Sequence, residues 1–183
     1  MALYGSIVEY GLHCLLHLVD PVDGRPPSSR DLADYQGLPP AYVAKIFTQL
    51  QKAGLVTSEE GLRGGYLLAR PADKITVLDV VDALEGDKPL FRCREIRRNC
   101  VLFAEEPPKW ATSGLCSIHA VMRSAEQQMR LVLAGTTLTG LMSSVGDKVP
   151  TAFMTAHEDW FRDRNLQRQA ARGRKKTAQK EDR

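Results

Sequence analysis

The chain has 183 residues, 43% of them hydrophobic, with a formal net charge of +3. That length suits one domain of roughly 100–150 residues plus further elements, and the hydrophobic fraction excludes a chain that is disordered throughout. No stretch approaches the roughly 18 apolar residues of a membrane-spanning helix, and Met1-Ala2-Leu3-Tyr4-Gly5-Ser6 has no basic region ahead of an apolar one, so a cytoplasmic location without a secretory signal is expected.

Ile7 to Val19 reads as a helix, because Val8, Leu12, Leu15 and Val19 recur at spacings of three and four. Asp20-Pro21-Val22-Asp23-Gly24 ends it. Ser28 with Asp31 resembles a capping box and opens a second, short helix that stops near Gly37. Pro39-Pro40 starts a third helix with Val43, Ile46, Phe47 and Leu50 on its apolar face, ended by Gly54. Leu55-Val56-Thr57 and Gly64-Gly65-Tyr66-Leu67-Leu68 read as two strands around a polar hairpin, Ser58 to Arg63. Thr76 caps a fourth helix that runs to about Leu84.

Periodicity then fades. Gly86 to Leu115 holds Pro89, Pro107, Pro108 and Gly114 and exceeds the roughly 12–15 residues beyond which an unstructured loop is uncommon. Cys93, Cys100 and Cys116 lie in it or at its end, and clustered cysteines in a cytoplasmic chain point to metal or redox chemistry before disulfides. From Ile118 to Leu133 the helical pattern returns, with Ile118, Met122, Ala125, Met129 and Val132 forming a coiled-coil-like seam that suits a dimer helix. Thr136 to Val145 reads as a short following helix. Arg162 to Arg183 carries nine Lys/Arg against three Asp/Glu and reads as a solvated, disordered extension, with a nonspecific pull on polyanions as the functional alternative.

The expected fold class is therefore mainly α with a small β-hairpin wing. Residues 1–85 form a winged helix-turn-helix, 86–116 a cysteine-bearing loop, 117–145 the dimerisation helix with a short helix after it, and 146–183 a C-terminal extension with a basic, disordered tail. The third helix is the candidate recognition helix. A major groove admits one helix, and its N-terminal residues reach the base edges. Ala41, Tyr42 and Lys45 stand there, with Gln49 a turn further on; Ser28 and Arg30 sit at the preceding helix start. Arg63, Gly64 and Gly65 belong to the wing, where glycine lets backbone approach the duplex and Arg63 suits a narrow minor groove. Double-stranded DNA is the expected partner.

As an ensemble, Ser28-Ser29-Arg30-Asp31-Leu32-Ala33, Ala41-Tyr42-Val43-Ala44-Lys45, Lys52-Ala53-Gly54-Leu55-Val56, Gly64-Gly65-Tyr66-Leu67-Leu68-Ala69-Arg70-Pro71 and Ile75-Thr76-Val77-Leu78-Asp79-Val80-Val81 resemble the Rrf-two family of winged-helix transcriptional regulators, the IscR, NsrR and RsrR group. The resemblance spans about residues 3–145 and implies a homodimer on a palindromic operator. Many family members hold an iron–sulfur cluster that senses nitric oxide or redox state; others have none. The stretch Val8-Glu9-Tyr10-Gly11-Leu12-His13-Cys14 is similar to the start of RsrR-type members, which implies Glu9 and His13 as ligands of a 2Fe–2S cluster completed by two cysteines of the other subunit. NsrR-type members imply instead the residue at Glu9 with three cysteines on a 4Fe–4S cluster.

The cysteine spacing departs from both patterns, because fifteen residues separate Cys100 from Cys116. Glu9, Cys100 and Cys116 are the firmest expected ligands; Cys93 and His13 depend on cluster type, and 2Fe–2S is favoured slightly. A zinc site is the alternative, with His119 three residues after Cys116 completing a Cys₃His set. Cys14 and His17 read as structural. No nucleotide-binding loop and no Cys/His nucleophile pair supports an enzyme. The resulting expectation is a cluster-bearing, DNA-binding sensor, with a cluster-free or zinc-containing regulator responding to thiol oxidation or a partner protein as the alternative.

Overall fold

Local signals build the first half of the chain. In the computed structural model, which describes residues 2–59, 64–103 and 106–181 and side chains as far as residue 170, α1 spans Ser6–Leu16, α2 Ser29–Gln36 and α3 Pro40–Lys52. Strands β1 (Val56–Glu59) and β2 (Gly65–Leu68) pair antiparallel, from Val56 opposite Leu68 to Glu59 opposite Gly65, and α4 follows at Val77–Glu85. Both expected caps are present. Ser28 Oγ accepts the Asp31 N–H while the Asp31 carboxylate accepts the Ser28 N–H, and Thr76 with Asp79 repeats the arrangement. Each box satisfies helix-end N–H groups that would otherwise lack partners. Gly37, left-handed at φ 65°, ends α2, and Pro40 begins α3.

These elements close one core. Leu15, Leu32, Val43, Ile46, Phe47, Leu50, Ile75 and Val80 are wholly buried in it, each contributing about 1.5–3 kcal/mol of apolar transfer. Two glycines permit close approaches. A Cβ on Gly11 would lie 2.5 Å from Leu84 Cδ1, so α1 and α4 come together there. A Cβ on Gly65 would come within 2.3 Å of the Pro26 carbonyl oxygen, and next to it the Tyr66 N–H donates to Pro27 O at 3.0 Å. The base of the wing is thus sewn to the segment leading into α2.

Past α4 the chain makes a long excursion. Its described residues hold only a short 3₁₀ turn, Ile96–Asn99, and α5, Lys109–Thr112. Then α6 (Ser117–Ala134) lies on α4, fixed by a two-pronged Arg130–Asp82 pair at 2.7 and 3.0 Å. The exposed seam differs in part from the expected one. Met122 and Met129 are half-buried, and the outward row is Ile118, Val121, Ala125, Gln128 and Val132. The reason is the tilt imposed by Arg130 and Leu133, which turn toward the first domain. α7 (Leu138–Gly146) packs against α1.

The C-terminal extension departs from the expectation of disorder. Residues Thr151–Glu181 form one helix, α8, and its first half folds back on the N-terminal domain. Phe161 and Asn165 are buried, and His157, Trp160 and Phe161 gather around Tyr35 of α2. The signal was there at helical spacing, in Phe153, Met154, His157, Trp160 and Phe161, but charge composition outweighed it. Among the described residues no helix is long and apolar enough to cross a membrane.

Candidate DNA interface and thiol site

The helix pair α2–α3 and the β1–β2 hairpin stand in winged helix-turn-helix order. On α3 the apolar row faces the core, leaving Ala41, Ala44, Lys45, Thr48 and Lys52 exposed. Ala41 and Lys45, expected to read the groove, are therefore solvent-facing. Ala44 and Thr48 share that face and are not among the residues expected from sequence; the spacing of three from Ala41 and from Lys45 would have found them. Tyr42 is half-buried, with its ring edge-on to Tyr10 of α1, centroids 5.9 Å apart. Gln49 is half-buried, and its Oε1 is shielded from solvent without a hydrogen-bond partner. Ser28 spends its hydroxyl on the α2 cap, and Arg30 next to it is exposed. Gly64 and Gly65 sit at the wing base; Arg63 lies outside the described residues.

The expected ligand set falls into two groups. Glu9 and His13 are exposed on one face of α1 and line an open groove of about 670 Å³ with Tyr4, Leu12, Leu141 and Val145. Cys93 and Cys116 line a different cavity of about 530 Å³, between the start of the excursion and the start of α6. Arg97 and Glu95 share that cavity. The Arg97 guanidinium bonds the Glu95 carboxylate and donates to Gly114 O at 3.2 Å, which ties the Cys93 side of the loop to the Cys116 side. The Glu95 N–H donates to Cys93 Sγ at 3.4 Å. The bond to Arg97 holds the Glu95 carboxyl below the usual carboxylate range. Cys100 is exposed and does not line this cavity, and the His119 ring turns instead toward Phe91, centroids 6.0 Å apart. Among the described residues no three His, Cys, Asp or Glu side chains are grouped as a metal ion requires. Hard and soft donors suited to a cluster are present, but as two half-sets: carboxylate and imidazole on α1, thiols on the loop.

Cys14 and His17 are structural, as expected. Burial pushes the Cys14 thiol up to about 12, out of the reactive range. Burial first, then the neighbouring His157 and His13, brings His17 down to about 4. Its Nε2 meets Gln36 Nε2 at 2.9 Å, and His157 Nδ1 meets the Tyr35 hydroxyl at 3.0 Å.

Comparison with known proteins agrees with this geometry. Residues 4–144 match the family Rrf2, described as iron-dependent transcriptional regulator. An HTH-type transcriptional regulator of Mycobacterium tuberculosis is 34% identical over 130 residues, covering 71% of this chain and 74% of that protein. Among solved structures, CymR, the global cysteine regulator of B. subtilis, superposes with a TM-score of 0.54 at 26% identity, covering 79% of this chain and 98% of the other. IscR of T. potens superposes with a TM-score of 0.60 at 24% identity, covering 83% and 95%, and shares the fold. The matched family and the Mycobacterium tuberculosis relative are described as transcriptional regulators, not enzymes. With its helix pair, paired wing and match across 4–144, the chain belongs to the Rrf2 family of DNA-binding winged-helix transcriptional regulators.

Proposed function

We propose that the protein acts as a homodimer on a palindromic DNA site, reading the major groove with Ala41, Tyr42 and Lys45, and that the cysteine loop is its input. The observation that carries the dimer is the outward row Ile118, Val121, Ala125, Gln128 and Val132 on α6, whose opposite side is already pinned to α4. A row of that spacing has the a/d period of a two-helix seam. Two copies would set two recognition helices about one DNA turn apart.

The input reading follows from the two half-sets. Glu9 and His13 lie apart from Cys93 and Cys116 in one chain, so a shared cluster needs α1 of one protomer and the loop of its partner. Glu9, His13, Cys100 and Cys116 would hold a 2Fe–2S cluster, with Cys93 joining if the cluster is 4Fe–4S. Such a group supplies sensitivity to oxidation and nitric oxide. The chain's own contribution is the route outward: Tyr10 next to Glu9 packs edge-on against Tyr42 at the start of α3, so a shift of α1 reaches the recognition helix directly. Protein prepared without oxygen is expected to be coloured, with iron and acid-labile sulfide in equal amounts, and to run as a dimer in light scattering. Colourless, iron-free protein sinks the cluster. Absence of preference for any palindromic duplex in gel shifts sinks the operator reading.

A second reading has its own support. Cys93 and Cys116 share one cavity with a guanidinium beside them, and the chain resembles a cysteine regulator in fold. Here the thiols themselves are the input: two thiols pass two electrons to a peroxide, forming one disulfide and two waters. Mass loss of two hydrogens per chain after peroxide treatment of the iron-free protein, abolished by Cys93→Ser, identifies it.

A further inference from the structure

α8 lies wholly beyond the 4–144 stretch shared with the family, yet it is built into the DNA-facing corner of the domain. Its partners can be followed along the helix. His157 meets the Tyr35 hydroxyl near the end of α2. Arg162 reaches Asp23 at 3.3 Å. Arg164 pairs with Asp34 and approaches Asp31 Oδ1 at 3.4 Å. Arg168 pairs with Asp31 Oδ2 at 3.0 Å, donates to Gly64 O at 3.0 Å and reaches Pro26 O at 3.4 Å. So α8 runs back along α2 from its end to its start and arrives at the base of the wing.

Asp31 is what makes that end firm. Its side chain is 3% exposed and serves both the α2 cap and the two arginines. A buried carboxylate with several charge-assisted partners tolerates little displacement, because loosening any of them leaves charge without compensation. The helix direction at Arg168 is therefore set by the domain rather than by the tail.

On the DNA reading above, the start of α2 and the wing lie to either side of the recognition helix, toward the phosphate backbone. Past Arg168 the helix continues for thirteen more residues, to Glu181, roughly 20 Å at the α-helical rise. That stretch holds Arg172, Arg174, Lys175, Lys176 and Lys180, with a single acid, Glu181. The rest of the chain is not basic: 1–161 has 16 Lys/Arg and 19 Asp/Glu. The winged helix thus has little attraction of its own for the phosphate backbone, which normally dominates affinity.

We propose that the C-terminal half of α8 is a second DNA-binding element, anchored by Arg164 and Arg168 so that its basic stretch follows the phosphate backbone beside the wing. It rests on the DNA reading above and adds the source of the affinity. The groove-reading face of α3 selects the sequence; α8 supplies sequence-independent attraction, one arm per protomer.

The test uses the full-length protein and a random-sequence duplex of about 40 base pairs, with affinity measured by fluorescence anisotropy across a range of potassium chloride. One variant replaces Arg172, Arg174, Lys175, Lys176 and Lys180 with Gln, leaving Arg164 and Arg168 in place. The expected result is affinity weaker by at least about 30-fold near physiological salt, and a salt slope shallower by about 0.9 for each phosphate that the variant no longer neutralises. An unchanged affinity and slope overturn the proposal. A second variant inserts a flexible Gly–Ser linker of about 20 residues after Ala170, keeping every charge but freeing the basic stretch from the anchored helix. Most of the benefit of the basic stretch is expected to vanish, because a floppy linker lowers effective concentration; full retention overturns the anchored placement. Tighter binding of the unaltered chain to phosphatidylglycerol vesicles than to the duplex overturns DNA as the partner of this segment. If the unaltered chain binds no duplex even at low salt, the DNA-binding reading itself fails, and that outcome is distinct from equal binding by the chain and its Gln variant.

Discussion

Two regions of this molecule treat their apolar residues in opposite ways. In the winged helix, Phe47, Leu50, Ile46 and Leu32 are wholly buried by packing within the one chain. In the excursion and on α6 the large apolar groups face outward: Val101 is 93% exposed, Trp110 78% and Val132 70%. An isolated exposed apolar residue is ordinary, but a run of them along one segment marks a surface that something else covers. The first region is completed by its own sequence. The second leaves its large apolar groups uncovered within the single chain, which suits the pairing and sensing proposed for it.

The comparison can be broken by substitution. Phe47→Ala removes a ring enclosed on all sides and packed on Tyr66 at 4.4 Å; it is expected to cost about 3–5 kcal/mol, read as a lower midpoint in urea.

At the junction of the winged helix with α8, pH sharpens the contrast. His17 sits at about 4 when folded, below its ordinary value of 6.5, so the unfolded chain binds the extra proton between those values. Its contribution is full above pH 6.5 and is lost as pH falls toward 4, by up to about 3 kcal/mol. His157, also lowered by burial, acts in the same direction. His17→Gln should flatten the dependence of the urea midpoint on pH across that window; an unchanged slope would assign it elsewhere.

Asp31→Ala removes the α2 cap and the anchor of α8 together. A cost of about 2–3 kcal/mol is expected, short of a fully buried pair because Arg164 and Arg168 keep some access to water. The specific sign is faster proteolysis after Arg162 and Arg164 while the winged helix still melts cooperatively.

The smallest effect on stability belongs to the unfinished region. Val121→Glu with Val132→Glu should shift the thermal midpoint of the isolated chain by less than about 0.5 kcal/mol equivalent. The same pair should halve the particle mass in light scattering. A large drop in stability with no change in mass would mean that this face packs within the chain.

How far the sequence could be read tracks the range of the interactions. Ser28 with Asp31 and Thr76 with Asp79 announced their helices because each cap closes within three residues. Pro40, Gly37 and the paired strands were legible for the same reason. The site was legible only in pieces. Helical spacing put Ala41, Lys45 and Gln49 along one face; Ala41 and Lys45 are exposed there, whereas the Oε1 of Gln49 is shielded, which spacing alone does not decide.

What the sequence determined by itself, then, is the order of elements, their ends, and the apolar faces of α1 and α3, since propensity, capping and periodicity act over one or two turns. What only the tertiary structure decided is the company those elements keep. α8 folds back because His157 finds Tyr35 across 122 positions and Arg168 finds Gly64 across 104. The outward face of α6 is set by a bond from Arg130 to Asp82, and Glu9 and His13 line a groove beside α7 while Cys93 and Cys116 line a different cavity. Such pairings depend on chain closure over long distances, and local patterns carry no record of which partner will be there.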